Sequence, residues 1–225
     1  MASGSKTFAT PAFSTERQGS AADQSNLLQI GLVFGLILVA VWMPQGRFNS
    51  AVCLAATFFT ILLTFTSHRS NRELGLTQPF SGAWVILAFG AVFVLTIIAA
   101  GALTRSLGPP QPLPWHRAWQ YAIWSLLQQF ILQSFIFVRL ESVFGGRRAV
   151  PGAALLFAMA HLPSPLLTVL SLLGALFFCE MFRRYRNIFP LGLVHAALGL
   201  TIASSLPDHW LHHMRVGLGY LAYHV

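Results

Sequence analysis

The chain has 225 residues, 55% of them hydrophobic and only 9% charged, with a formal net charge of +8. Soluble domains carry about 25% charged residues, so the composition excludes an ordinary water-soluble fold and indicates an integral membrane protein. The basic residues fall between apolar runs and not on one dense patch, which argues against nucleic acid as a partner and for a record of membrane topology.

In chain order, residues 1–27 are rich in Ser, Ala, Thr and Gln and read as a flexible cytoplasmic tail, with 28–225 as a transmembrane bundle. No small-residue cleavage pattern follows the first apolar run, so that run is expected to stay as a helix. Seven segments are predicted, at 28–44, 49–66, 82–104, 115–138, 149–162, 165–182 and 189–205. Crossing the hydrocarbon takes about 20 residues. A further amphipathic stretch, 210–223, is either a partial eighth span or an interfacial helix. The expected fold class is therefore all-α, a polytopic bundle of seven to eight helices. Cys53 and Cys179 lie far apart in apolar segments and suit neither a disulfide framework nor a CxxC metal site.

Lys6, Arg17, Arg69, Arg72, Arg139, Arg147, Arg148, Arg183, Arg184 and Arg186 fall on one predicted side; Arg47, Arg105, Arg117 and Arg215 fall on the other. The excess places the N-terminus in the cytoplasm. Glu141 is expected to pair at the interface with Arg139 or Arg148. A bacterial inner membrane is the expected location.

The fourth segment contains "WSLLQQFILQSF", Trp124 to Phe135. Gln129 and Gln133 are four apart and share a helix face, while Gln128 points about 100° away. Polar groups at this depth face the bundle interior. They serve as interhelical hydrogen-bonding groups or as parts of a site. The fifth segment is short, about 21 Å of helix against a core of about 30 Å. It ends at "HLPSP", where two prolines forbid a regular helix. His161 is therefore expected at a recessed turn lined by protein.

His195 lies in the seventh segment. Counted along their helices from the cytoplasmic arginines, His161, His195 and Gln128 sit at about 20, 13 and 16 Å. A shared polar pocket is compatible with those depths. Glu180 has two readings, a salt bridge to Arg183 or Arg184, or a carboxylate near His195. Near the C-terminus, His209 has helical spacing to His212 and His213, which suits a metal, but only Asp208 is nearby to complete a set. Trp210, Tyr220 and Tyr223 suggest an interface belt. His224 closes the same stretch.

With these features in place, the chain resembles the CAAX-protease and bacteriocin-processing (CPBP, Abi) family of intramembrane metalloproteases. "FAMAH", Phe157 to His161 and followed by "LP", resembles the family's FxxxH motif. His195 in "NIFPLGLVHAALG" resembles its later histidine, with Gly199 where Asn is usual. "QQFILQ" aligns with EExxxR, so Gln128 and Gln129 stand at the paired glutamates and Gln133 at the arginine. The resemblance covers about residues 115–205. It implies a catalytic group drawn from Gln128, Gln129, Gln133, His161 and His195. It also implies a divalent metal such as zinc at His161 and His195, with Glu180 as a candidate third ligand. Glutamine offers a carbonyl and an NH₂ but no base. Two functions remain open. One is a metallopeptidase-like hydrolase of membrane-embedded or prenylated substrates. The other is an inactive relative that binds membrane lipid or a transmembrane protein or peptide as a subunit of a larger membrane complex. A transporter is a weaker third reading, since no inverted repeat is visible.

Overall fold

The computed structural model describes residues 12–104 and 115–222, with side chains from residue 21 onward. Lys6, Arg105, Tyr223, His224 and the Arg17 side chain lie outside the described residues. The elements are α1 (Ala12–Trp42), α2 (Arg47–Phe65), α3 (Ala83–Leu103), α4 (Trp115–Phe144), α5 (Gly146–Met159), α6 (Pro165–Tyr185), α7 (Phe189–Ser205), and two short helices, α8 (Asp208–Leu211) and α9 (Gly217–Leu221). The protein is an all-α, membrane-spanning bundle. Five helices are long and apolar enough to cross a membrane: α1 from Ala21, α2, α3, α4 and α6. The expected count of seven to eight becomes nine helices among the described residues. The difference lies at the chain's end, where 210–223 is not one helix. His212, His213, Met214 and Gly217 all have positive φ there, which breaks the segment into short turns. At the other end, α1 is already helical from Ala12, well before the predicted start at 28.

Helix α4 is the centre of the fold. Residues Leu132 to Leu140 are buried without interruption, which requires neighbours on every side. Its middle, Phe130–Phe137, is a π-helical stretch, with the Val138 N–H donating to the Gln133 carbonyl five residues back. The wider turn moves Gln133, Ser134 and Arg139 off the positions a regular α-helix would give them.

Arg139, expected in a cytoplasmic loop, is instead a fully buried residue of α4. Its Nε donates to Gln29 Oε1 (2.9 Å), Nη1 to the Phe135 carbonyl (3.1 Å) and Nη2 to the Leu63 carbonyl (2.7 Å). The guanidinium also stacks 4.0 Å above the Phe135 ring. One side chain thus ties α1, α2 and α4 together. Its expected partner Glu141 bonds Arg186 instead. Glu141 follows Arg139 by two residues, so it points to another side of the helix.

Helix α7 packs between α3 and α4 through small residues. Gly90 of α3 meets the Val194 side chain. Gly192 and Gly199 of α7 meet Leu126 and the Tyr121 ring of α4. Such glycines let helices approach without a hydrophobic driving force between them. Asn187 fixes the start of α7: its Nδ2 donates to the Pro79 and Ser81 carbonyls and its Oδ1 accepts from the Phe189 N–H. The loop before α3 carries a reciprocal Ser70–Glu73 cap. The Ser70 N–H, then its hydroxyl, hold the Glu73 carboxyl below its ordinary range.

The close approach at Gly199 has a measurable consequence. Gly199→Ala should lower stability in detergent micelles by about 1–3 kcal/mol through overpacking against Tyr121. Tyr121→Leu should relieve part of that loss in the double variant. Thermal unfolding of the four proteins in the cycle checks this.

Candidate functional site

Helix α4 turns a stripe of polar side chains toward α7. Tyr121, Ser125, Gln129 and Gln133 recur every four residues, and the last three are fully buried. His195 lies on the face of α7 that holds Gly192 and Gly199, three residues after one and four before the other. The helices can come together there because neither glycine carries a side chain. As a result, Gln129 Nε2 reaches His195 Nδ1 at 3.2 Å, and Gln133 Nε2 donates to Gln129 Oε1 at 3.1 Å.

His161 enters from the turn after α5, two residues beyond the helix end. Its Nδ1 is 2.7 Å from the Phe157 carbonyl. The Phe157 ring lies against both imidazoles, with centroids 4.7 Å from His161 and 5.9 Å from His195. Phe178 of α6 covers His195 from a further side at 5.4 Å. The His161 turn is fastened from outside, where the Gly217 N–H donates to the Leu162 carbonyl at 2.7 Å. A Cβ at Gly217 would collide with the Val41 carbonyl of α1, so only glycine permits that approach.

The bonding partners assign the protons. A carbonyl only accepts, so His161 Nδ1 carries hydrogen and its Nε2 holds the free lone pair. Gln129 spends its oxygen on Gln133, so its NH₂ faces His195 and donates to Nδ1. In that amide orientation His195 carries its hydrogen on Nε2, the tautomer opposite to that of His161. Ser125 Oγ and Gln133 Oε1 are buried with no hydrogen-bond partner among the described residues.

The predicted residues divide accordingly. Gln129, Gln133, His161 and His195 come together around Phe157. Gln128 is only partly buried and has no bond within this network. Glu180 faces Arg183 and Arg184, bonding Arg183 Nε at 2.8 Å. Among the described residues, no group of three or more His, Cys, Asp and Glu is placed to hold a metal ion. Catalytic zinc takes three protein ligands. Here the imidazoles of His161 and His195 stand without a third ligand among the described residues, and His195 Nδ1 is taken up by the Gln129 amide. The donor set does not fit zinc. Among the described residues His209, His212 and His213 form no metal set either, and His213 bonds Asp208 at 2.9 Å.

Reasoning from sequence missed Ser125, Tyr121 and Phe178. The first two were visible as an i, i+4 continuation of the glutamine stripe. Phe178 carried no signal, since it depends on how α6 meets α7.

The network predicts an ordered mutational series. Gln129→Leu strands two buried groups, on Gln133 and His195, and should cost about 1–3 kcal/mol. Gln129→Glu keeps an acceptor for Gln133 and moves the His195 hydrogen to Nδ1, so it should cost less. Unfolding in micelles ranks the variants, and ¹⁵N imidazole shifts report the tautomer change.

No curated protein and no solved structure matches the chain. Residues 110–201, which contain the glutamine stripe and both histidines, match the family model described as type II CAAX prenyl endopeptidase Rce1-like.

Proposed function

We propose that the protein is a divergent Rce1-like intramembrane protein that binds a membrane-embedded ligand, a lipid or a prenylated or transmembrane peptide, without metal-dependent hydrolysis. It serves as a binding or assembly subunit of a membrane complex. The observation that carries this reading is the Gln133–Gln129–His195 chain. General-base catalysis needs a group that takes a proton near neutral pH, and the amide at Gln129 cannot. The amide also holds His195 in the tautomer that withholds its Nδ1 lone pair from a metal. Ser125 Oγ and Gln133 Oε1, buried and unpartnered among the described residues, leave hydrogen-bonding capacity that a group entering the bundle would use.

The second reading, a metallopeptidase-like hydrolase, is favoured by the family match and by His161. A histidine that donates Nδ1–H to a backbone carbonyl has the orientation of a metal ligand or a base. Hydrolysis would require the Gln129 amide to turn over and further ligands to arrive.

The excess of basic residues on one side supports a cytoplasmic N-terminus. With Arg139 removed to the interior, nine still fall on the inner side against four on the outer.

The two readings separate in one set of measurements on the purified protein. Under the binding reading, prenylated peptides bind but are not cleaved. Zinc added and then dialysed remains substoichiometric, and His161→Ala changes neither result. Cleavage that is stopped by chelators and abolished by His161→Ala would overturn the proposal and establish the hydrolase.

A further inference from the structure

Arg139 is a buried cation, and among the described residues no carboxylate pairs with it. Glu141, the nearest in sequence, is committed to Arg186. The next arginine, Arg69, lies nearby and bonds Ser142, whose hydroxyl donates to the Arg139 carbonyl. Glu73 and Glu141 act on Arg69 with opposite charge, and Arg186 acts on it with like charge. The three arginines and two glutamates leave one positive charge uncompensated. Buried charge is ordinarily paired, so the site calls for an anion.

The hydrogen bonds show where. Arginine only donates, so Gln29 must turn its oxygen to Arg139 and its NH₂ away. That NH₂ donates to Ser25 Oγ at 3.2 Å. Each link therefore points its donor outward, from the buried guanidinium through Gln29 to the Ser25 hydroxyl. Among the described residues, no acceptor takes the Ser25 proton. A chain of this kind is polarised by the charge at its root. It opens into a groove of about 350 Å³ between α1 and α2, lined by Ser25, Gln24 and Gln29 with Leu28, Leu32 and Leu63. Gln24 and Ser25 lie at the start of the membrane-spanning part of α1, which begins at Ala21, and Leu28 and Leu32 follow about one and two turns deeper.

We propose that this groove binds an anionic phospholipid, its phosphate accepting from Ser25 and neutralising Arg139, its acyl chain lying against Leu28, Leu32 and Leu63. The match is of both charge and polarity: a donor end over a buried cation, continuous with an apolar trough at hydrocarbon depth. The groove lies on the α1 side of the molecule and is independent of the Gln129–His195 site.

The test uses full-length protein in phosphatidylcholine nanodiscs doped with phosphatidylglycerol, with retained lipid read by native mass spectrometry. The wild type should prefer phosphatidylglycerol by about tenfold, equivalent to about 1.4 kcal/mol. Gln29→Glu places a carboxylate on Arg139 and turns the Ser25 proton inward. It should fold at least as stably as wild type and lose the preference. Ser25→Ala, at an exposed helix position, removes only the outermost donor and should reduce the preference with unchanged stability; it decides the matter if Gln29→Glu fails to fold. No preference in wild type, or full preference in both variants, overturns the proposal. Displacement of the lipid by millimolar inorganic phosphate would overturn the lipid assignment in favour of a free anion.

Discussion

A guanidinium enclosed in an apolar bundle is the constraint on which the packing depends. Taking a charge out of water costs several kcal/mol unless its hydrogen bonds are replaced. Arg139 replaces them with two carbonyls and one amide drawn from three helices. Those partners exist only when α1, α2 and α4 are correctly placed, so the arginine selects one arrangement among many that lipid-soluble helices would tolerate. Removing an acceptor would leave a stranded donor in hydrocarbon. The site on the opposite side of α4 depends on this anchoring, because the glutamine stripe is aimed by the same helix.

The polar network at Gln129 works by a different economy. No charge is present, and the amides and imidazoles bond neutral neighbours, while Ser125 Oγ and Gln133 Oε1 stay unpartnered among the described residues. Amides cannot exchange protons with their surroundings, so the arrangement is fixed where a carboxylate would titrate. His195 is held in one tautomer by an amide whose own direction is set by Gln133. The network thereby fixes direction and holds no carboxylate that would take up a proton.

Much of this was legible in the residues. The membrane class, the apolar segments and the short fifth helix follow from composition, periodicity and proline positions, whereas the depth count set Gln128 beside His161 and His195 and it is Gln129, on the next face of the helix, that reaches His195. Arg139 was not legible, because an arginine two residues from a glutamate and close to "GGRR" reads as the end of a span. The π-helical stretch hides in an apolar run whose sequence suits an α-helix equally well. Glu141 changed partner for the same reason: its direction depends on helix geometry beyond the spacing of charges. The pairing of Gly199 with Tyr121 needed both helices in place before it had meaning.

The bond between the Gly217 N–H and the Leu162 carbonyl joins the turn that carries His161 to almost the last described segment of the chain. Domains emerge from the ribosome N-terminal end first. The helices bearing the glutamines and both histidines are therefore made before the clasp that secures the turn. During synthesis the imidazole of His161 hangs from a loop with an unmet carbonyl at its base. The turn that carries His161 is thus secured only once residue 217 has been made, later than every side chain of the network beside it.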